Sequence, residues 1–307
     1  MLVSLKHILE KAERGRYAVG AFNVNNLETI QAMVLAAEAE RSPVILQTSE
    51  GALAYAGMEE LGALVHLAAD RAHIPIVFHL DHGKHLEIIE NAIKSGLYTS
   101  VMFDGSALSY EENVRTTKRL AKLAHEKNVS LEAELGAIAG MEDFISVKKR
   151  DAHLTNPDQA ARFVKQTGCD ALAIAIGTSH GAFKFKRTSS LDFERLLAIK
   201  LATSIPLVLH GASGIPASIK KQCQKYGCKI TGAKGVSDAN IKKAVTLGIN
   251  KVNIDTDLRI AFDAGVRKFL AEHPEEIDPR EILKPAKELM TAVARQKMRL
   301  LGCSRKA

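Results

Sequence analysis

Short runs of apolar residues recur along the chain, and a segment with helical spacing follows each of them. After the first run, Ile30, Met33, Val34 and Ala37 are spaced i, i+3, i+4 and i+7, which places them on one helix face. Continuous apolar runs of this length are typical of strands buried on both faces. We predict strands at residues 17–23, 43–49, 74–78, 99–104, 129–136, 171–177, 205–211 and 250–255.

Residues that favour helix ends define the segments between these strands. Ser109 and Glu112 have the spacing of a capping box, and Asn156-Pro157 is typical of a first helical turn. A long polar loop is expected before residue 156, and residues 215–239 have the weakest periodicity in the chain. Helices are predicted at 58–72, 86–95, 109–127, 241–248 and 279–301, and others begin near 156, 192 and 257.

Eight strands that alternate with helices, with no linker between them, predict one closed parallel barrel. The rival is an open doubly wound sheet, which would carry a glycine-rich phosphate turn after its first strand. The sequence after that strand, Asn23-Val24-Asn25-Asn26, is not such a turn. We therefore expect an α/β protein, a (β/α)8 TIM barrel with an extra C-terminal helix, as a single domain over residues 1–307.

The composition of the chain limits the cellular locations and the classes of binding partner that we expect. The chain is 46% hydrophobic and 25% charged, it has no apolar run long enough for a membrane span, and its start lacks signal-peptide features. We expect a cytoplasmic protein that does not bind membranes. The net charge is +7, but the basic residues are scattered, which argues against nucleic-acid binding and suits a phosphorylated small substrate.

The four cysteines do not suggest a disulfide framework in a chain of 307 residues. Cys223 and Cys228 are close enough in sequence to share a metal ion, but a second Cys/His pair is missing nearby. Reduced structural thiols are the preferred interpretation.

Polar side chains lie at the carboxyl end of nearly every predicted strand. In a parallel barrel these ends converge on one face, where active sites are built. The residues concerned are Asn23, Ser49, Asp81, His82, Asp104, Glu134, His180, His210, Asn253 and Asp255.

Three imidazoles in this group predict a zinc site with an open coordination position. His82, His180 and His210 follow three different strands, and each precedes a glycine that lets the backbone approach a ligand. Asp81, beside His82, is a candidate proton carrier. Two interpretations of Asp104 and Glu134 stay open. Their carboxylates are either oxygen ligands of a second, looser cation or salt-bridge partners of lysines at the barrel mouth.

Two loops and one helix start offer groups that bind phosphate. Thr178–Gly181 and Gly211-Ala212-Ser213-Gly214 present backbone N–H groups and hydroxyls, and Asp255-Thr256 adds a hydroxyl at a helix start. Lys184 is either a counter-charge for phosphate or a solvated lysine. A Lewis acid, a carboxylate and a phosphate site together suit carbon–carbon cleavage beside a ketone, which leaves a carbanion that must delocalise as an enediolate.

Several motifs carry a resemblance to a known family. The two main stretches are His79-Leu80-Asp81-His82-Gly83 and Leu131-Glu132-Ala133-Glu134-Leu135-Gly136. Further matches are Gly177–Gly181, His210–Ser213 and Val252–Asp257. Together they resemble the class II, metal-dependent ketose-bisphosphate aldolases over essentially the whole chain, and most of all the shorter, bacterial fructose-1,6-bisphosphate aldolases.

This resemblance implies roles for individual residues. Asp81 matches the acid/base that protonates the aldehyde fragment, and Glu142 matches a glutamate of proton transfer at the ketone fragment. Asp104 and Glu134 match positions that contact a second divalent or monovalent cation. The catalytic zinc is assigned to His82, His180 and His210. The matched substrate contacts are Asn23, Ser49, Gly181, Gly211, Ser213, Asn253, Asp255, Thr256, Arg259 and Arg280.

The two arginines of this set, Arg259 and Arg280, match residues that bind the far phosphate, and in such enzymes one comes from a neighbouring subunit. The resemblance therefore implies a homodimer or homotetramer.

Three alternatives remain. Asp104-Gly105-Ser106 also resembles tagatose-bisphosphate aldolases, which differ in stereochemistry at C4 of the substrate. Lys251 has the strand parity of Asn253, so it could point inward and form a Schiff base instead. A non-catalytic binding protein on the same fold is the third.

Overall fold

The computed structural model describes residues 1–136, 139–142, 145–147, 153–180, 191–230 and 235–307, and the backbone alone for 139–142, 145–147 and 179–180. In this part of the chain the strands are β1 (Val19–Asn23), β2 (Val44–Ser49), β3 (Ile76–Gly83), β4 (Ser100–Phe103), β5 (Ser130–Leu135), β6 (Ala139–Glu142), β7 (Ile145–Val147), β8 (Ala171–Ile174), β9 (Ser179–His180), β10 (Leu207–Leu209) and β11 (Ile249–Ile254).

Eight of these strands form a closed barrel. Their order is β1–β11–β10–β8–β5–β4–β3–β2, and every neighbouring pair is parallel. This arrangement confirms the predicted barrel, because all eight predicted strand regions supply one of its strands.

Helices connect the barrel strands and cover them. The described helices are α1 (Leu5–Gly15), α2 (Leu27–Glu40), α3 (Glu50–Ala56), α4 (Met58–Arg71), α5 (Leu86–Lys94), α6 (Tyr110–Glu126), α7 (Pro157–Thr167), α8 (Phe193–Ala202), α9 (Ala217–Lys225), α10 (Asp238–Thr246), α11 (Thr256–Glu272) and α12 (Pro279–Leu301). Among the described residues, no helix combines the length and the apolar character that crossing a bilayer requires.

The predicted helix ends are confirmed where capping residues indicated them. Ser109 and Glu112 form the reciprocal hydrogen bonds of a capping box, and Asn156 caps α7 with Pro157 in its first turn. The extra C-terminal helix is α12, which packs against α2 and α11. Three helices were not among the predicted elements: α1, α3 and α9.

The third strand is longer than predicted. The apolar run suggested an end near residue 78, but β3 continues to Gly83 and includes the polar motif. Its backbone pairs with β2 as far as the Ser49–Asp81 register. Pairing with a neighbouring strand thus extends β3 beyond its apolar residues.

The predicted polar loop before residue 156 is wrong in part. Strands β6 and β7 form an antiparallel pair there, and β6 also pairs in parallel with β9, so that Gly140 lies opposite His180. This small sheet has the order β7–β6–β9. Because β6 and β9 are far apart in sequence, no local pattern could indicate their pairing.

Candidate active site

The adjacent residues Asp81 and His82 both belong to the carboxyl end of β3. Successive side chains of a regular strand point to opposite faces, so two neighbours do not normally serve one site. His82 has a φ of 48°, in the left-handed region that non-glycine residues seldom adopt. The register between β3 and β4 also shifts between Leu80 and Gly83. This local irregularity brings Asp81 and His82 to the same side.

The rings of His82 and His210 meet edge to face. Their centroids are 4.5 Å apart at an angle of 88°, and His82 Nε2 lies 2.7 Å from His210 Nδ1. Both residues are buried. One carboxylate oxygen of Asp81 and one ring nitrogen of each histidine lie within 4.8 Å of one another, so the three residues form a group that can hold a metal ion.

A second group of donors shares His82. Its Nδ1 lies 3.2 Å from Asp104 Oδ2 and 3.8 Å from Glu134 Oε2. Lys84 Nζ is 3.9 Å from Asp104, so the predicted lysine contact is present alongside the candidate metal donors. Glu134 Oε2 is buried, and no described residue donates a hydrogen bond to it. A buried carboxylate oxygen without a donor is costly, and a cation would satisfy it.

The pKa values in this group depend on burial and on mutual charge. Burial, followed by repulsion from Asp104, raises the pKa of Glu134 well above its usual range. Burial opposes a charged His82, yet the carboxylates of Asp81 and Asp104 outweigh it and raise the imidazole pKa to about 10. Burial likewise opposes ionisation of Asp104, but its hydrogen bond with His82 lowers that pKa. Both Glu134 and His82 therefore favour their protonated forms, and a cation bound by this group would displace those protons.

Three amide groups orient the carboxylate of Asp81. Oδ2 accepts hydrogen bonds from Asn23 Nδ2 at 3.1 Å and Gln47 Nε2 at 3.0 Å, and Oδ1 accepts one from Asn253 Nδ2 at 2.9 Å. The amides come from β1, β2 and β11, so barrel closure assembles them around β3. The predicted residues Asn23 and Asn253 thus contact Asp81 directly.

A buried charge network lies beside these donors, and two of its residues, Glu132 and His79, were not among the predicted site residues. Glu132 Oε1 is 3.0 Å from His210 Nε2, and Glu132 Oε2 is 2.8 Å from Lys251 Nζ. His79 Nε2 lies 3.7 Å from Glu132 and 3.4 Å from Lys251 Nζ. Lys251 does point inward, as its parity predicted, but its ammonium group is paired with Glu132.

Strand parity could have identified the residues that were missed. Glu132 is two positions before Glu134, and Gln47 is two positions before Ser49, so each shares a barrel face with a predicted site residue.

An open cavity of about 260 Å³ adjoins the donors and is lined by Asn23, Ser49, Asp255 and Arg259. Arg259 Nε lies 2.9 Å from Asp255 Oδ1, within the first turn of α11. The predicted substrate contacts at the ends of β1 and β2 and at the start of α11 therefore border one space.

The residues that follow β10 and β11 include the groups predicted to bind phosphate. Gly211 has a φ of 63°, which turns the chain immediately after His210. Ala212 and Ser213 follow and are buried, and Thr256 opens α11. Backbone N–H groups and hydroxyls of this kind bind phosphate at helix starts and tight turns.

Four further predicted residues, Glu142, Gly181, Lys184 and Arg280, are described only by their backbone, lie outside the described residues, or lie apart from the others. The backbone pairing of β6 with β9 sets the strand of Glu142 beside His180, whereas Gly181 and Lys184 lie outside the described residues. Arg280 lies in the first turn of α12, where its 87% exposed side chain pairs with Asp278 at 2.5 Å. In the described part of the chain, the structure does not bring Arg280 together with the other site residues.

Comparison with known proteins agrees with this geometry. The family model described as fructose-bisphosphate aldolase class-II matches residues 3–306. The fructose-bisphosphate aldolase of Helicobacter pylori strain 26695 is 48% identical over 307 residues, which are 100% of both chains. The fructose-bisphosphate aldolase of Thermus caldophilus is 47% identical and covers 98% of both chains.

Solved structures give the same result at the level of the fold. The YdjI aldolase of Escherichia coli K12 superposes with a TM-score of 0.80 at 34% identity and covers 100% of both chains. Fructose-bisphosphate aldolase from Campylobacter jejuni superposes with a TM-score of 0.79 at 26% identity, over 100% of this chain and 97% of its own. The chain belongs to the class II fructose-bisphosphate aldolase family, whose members depend on a metal ion.

Proposed function

We propose that this protein catalyses the reversible cleavage of fructose 1,6-bisphosphate to dihydroxyacetone phosphate and glyceraldehyde 3-phosphate. The observation that carries the proposal is the meeting of His82, His210 and Asp81 at one mouth of the barrel, with all three donor atoms within 4.8 Å of one another. Family membership supports a phosphorylated sugar as substrate and a metal-dependent lyase reaction.

We assign the metal to zinc, because neutral imidazoles with an open position are its common catalytic ligand set. His82 and His210 would hold it together with His180. Asp104 and Glu134 would hold a second cation or help to orient His82. Bound there, a divalent cation acts as a Lewis acid that polarises the ketone carbonyl and offsets the negative charge left by bond cleavage.

Asp81 is the proposed acid/base. Its carboxylate removes the proton of the C4 hydroxyl during cleavage and returns one to the aldehyde oxygen during synthesis. The three amides around it fix both carboxylate oxygens, and one lone pair of Oδ1 stays available to the substrate. Glu142 is proposed to move the proton at the ketone fragment.

The two phosphates need separate sites. The proposed contacts of dihydroxyacetone phosphate are Gly181, Lys184, the Gly211–Ser213 turn, Asn253, Asp255 and Thr256. Asn23 and Ser49 would line the space between the phosphates. Arg259 and Arg280 are proposed for the far phosphate, and one of them would act on a neighbouring subunit. We further propose that residues 1–307 form a single domain, that the protein is a homodimer or homotetramer, and that it is located in the cytoplasm.

Tagatose 1,6-bisphosphate is the second candidate substrate, because Asp104-Gly105-Ser106 resembles aldolases specific for that epimer. Ser106 Oγ donates a 2.6 Å hydrogen bond to Asp104, so this motif shapes the donor group next to His82. The Schiff-base alternative is less well supported, since the amine that it requires is paired with Glu132.

A coupled cleavage assay on both bisphosphates tests the function. We expect fructose 1,6-bisphosphate to be cleaved, activity to disappear with a chelator, and zinc to restore it. His210→Ala should lose activity and metal, whereas His273→Ala, at the far end of α11, should keep both. Full activity after complete metal removal, or borohydride trapping of substrate on Lys251, would refute the metal mechanism.

A further inference from the structure

Two thiols and a carboxylate meet where α9 packs against α11, in the helical layer around the barrel. Cys223 lies in α9, Cys228 follows that helix, and Asp263 lies in α11. One ligand atom from each residue lies within 4.8 Å of the other two. The cysteines are not joined by a disulfide.

Local backbone geometry brings the two cysteines together. After α9 ends, Gly227 adopts a φ of 90°, and Cys228 N donates a 3.0 Å hydrogen bond to Cys223 O. Gln222 of α9 also donates to Ala264 O of α11 at 3.3 Å. The donors are therefore held by the packing of two helices and by one tight turn.

The side chains differ in burial. Cys223 is fully buried, and its Sγ lies 3.2 Å from Asp263 Oδ2, whereas Cys228 is partly exposed. Arg267, one turn further along α11, places Nε 2.7 Å and 2.8 Å from the two Asp263 oxygens. A cation could therefore enter from the side of Cys228 and reach all three donors.

The pKa values of the two thiols indicate that both keep their protons until a cation displaces them. Burial and the neighbouring Asp263 carboxylate raise the pKa of both Cys223 and Cys228. Burial opposes ionisation of Asp263, but hydrogen bonds from Arg267 and the thiols lower its pKa. A raised thiol pKa makes both cysteines poor nucleophiles, which argues against a redox role.

We propose that Cys223, Cys228 and Asp263 form a second metal site, for a thiophilic divalent cation of the zinc class, with an open position for water. Two thiolates and a carboxylate exceed the charge of such a cation by one, and the guanidinium of Arg267 balances the remainder. The site is independent of the proposed catalysis, because it shares no residue with the barrel mouth. A bound ion links the end of α9 to α11.

Cadmium titration of the full-length protein tests this site, because thiolate-to-cadmium charge-transfer absorption arises only from sulfur ligands. We expect the absorption to saturate at one cadmium per chain, to be displaced by zinc, and to accompany the release of two protons per ion. The histidine site cannot produce this signal, so His210→Ala should leave it unchanged even where activity is lost.

Matched variants locate the ligands. Cys228→Ser should abolish the absorption, Asp263→Asn should weaken cadmium binding at least 10-fold, and Cys169→Ser and Cys303→Ser should change neither. Absence of the signal, or its survival in Cys228→Ser, would overturn the proposal.

Alkylation of the wild-type protein gives a measurement that does not depend on a variant folding. With an incubation long enough to modify most of Cys228 in the absence of cadmium, we expect cadmium to protect this thiol from iodoacetamide, read by mass spectrometry. Equal modification with and without cadmium would overturn the site.

Discussion

Asp81 is almost completely buried, with three amide donors on its carboxylate and the His82 ring beside it. Such a group is placed to exchange a proton with a substrate, but it also lies within reach of a metal held by His82 and His210. The two roles differ in one measurable respect. A metal ligand is needed for affinity, whereas an acid/base is needed only for turnover.

Asp81→Ala should therefore lower kcat by about 10²–10⁴-fold while the metal content after dialysis stays at the wild-type level. Steady-state kinetics and elemental analysis of the same preparation would check this. Asp70→Ala, which removes an exposed carboxylate from α4, is the control. Loss of metal together with activity would instead make Asp81 a ligand.

Glu132 is a second residue whose role depends on its partners. It is fully buried between Lys251 and His210, so its removal would leave a buried ammonium group without a counter-charge. We expect Glu132→Gln to lower the free energy of unfolding by about 3–5 kcal/mol. Urea denaturation with the double variant Glu132→Gln/Lys251→Met should recover much of that loss, whereas strictly additive effects would show that the pair is not coupled.

Among the secondary-structure elements, α12 was predicted with its observed ends, because a long amphipathic pattern and a proline in the first turn are local signals. Its attachment depends on tertiary contacts. Glu40, at the end of α2, accepts hydrogen bonds from Arg295 at 2.8 Å and from Arg299 at 2.6 Å and 2.9 Å. Ser304 adds another at 3.0 Å. One carboxylate thus joins α2 to the C-terminal segment.

These contacts predict a pH dependence of stability. The hydrogen bond from Arg299 is the main cause that lowers the Glu40 pKa from 4.5 to about 2. The folded state therefore binds the Glu40 proton less tightly than the unfolded state does. The stabilisation is fully present above pH 4.5 and is lost as the pH falls towards 2.

Glu40→Gln should destabilise the protein by about 1–2 kcal/mol at pH 7, a modest amount because both guanidinium groups are partly exposed. The difference from wild type should shrink as the pH falls below 4.5, measured by urea unfolding across the acid range. Glu10→Gln, on the exposed face of α1, should show no such trend. A constant difference at every pH would exclude the titration of Glu40 as the cause.

At the scale of the whole molecule, closure of the barrel brings the candidate site residues together. His82, Glu134 and Asn253 belong to three strands and His210 directly follows a fourth, and closure places the carboxyl ends of these strands around one opening. Arg280 is the exception, since it is exposed at the start of α12 and pairs with Asp278. This position fits the proposal that it serves a neighbouring subunit.

Mixing two inactive variants tests that role. If Arg280 acts in trans, Asp81→Ala and Arg280→Ala chains should regain activity when dissociated and reassociated together. Roughly a quarter of wild-type activity is expected for a dimer, because half of the dimers are hybrids with one intact site. Each variant treated alone is the control. Mixtures no more active than the separate variants would place Arg280 in its own subunit's site or in none.

The amino-acid sequence was enough to predict the barrel, because apolar runs and helical periodicity are local properties that repeat eight times. It also determined the end at which the site lies, since polar residues cluster at the carboxyl ends of the strands. Three features became visible only in the folded molecule: the pairing of β6 with β9, the contact of Glu132 with Lys251, and the approach of Cys223 and Cys228 to Asp263. These features join distant segments, or depend on single backbone angles such as that of His82, and neither kind leaves a periodic trace in the chain.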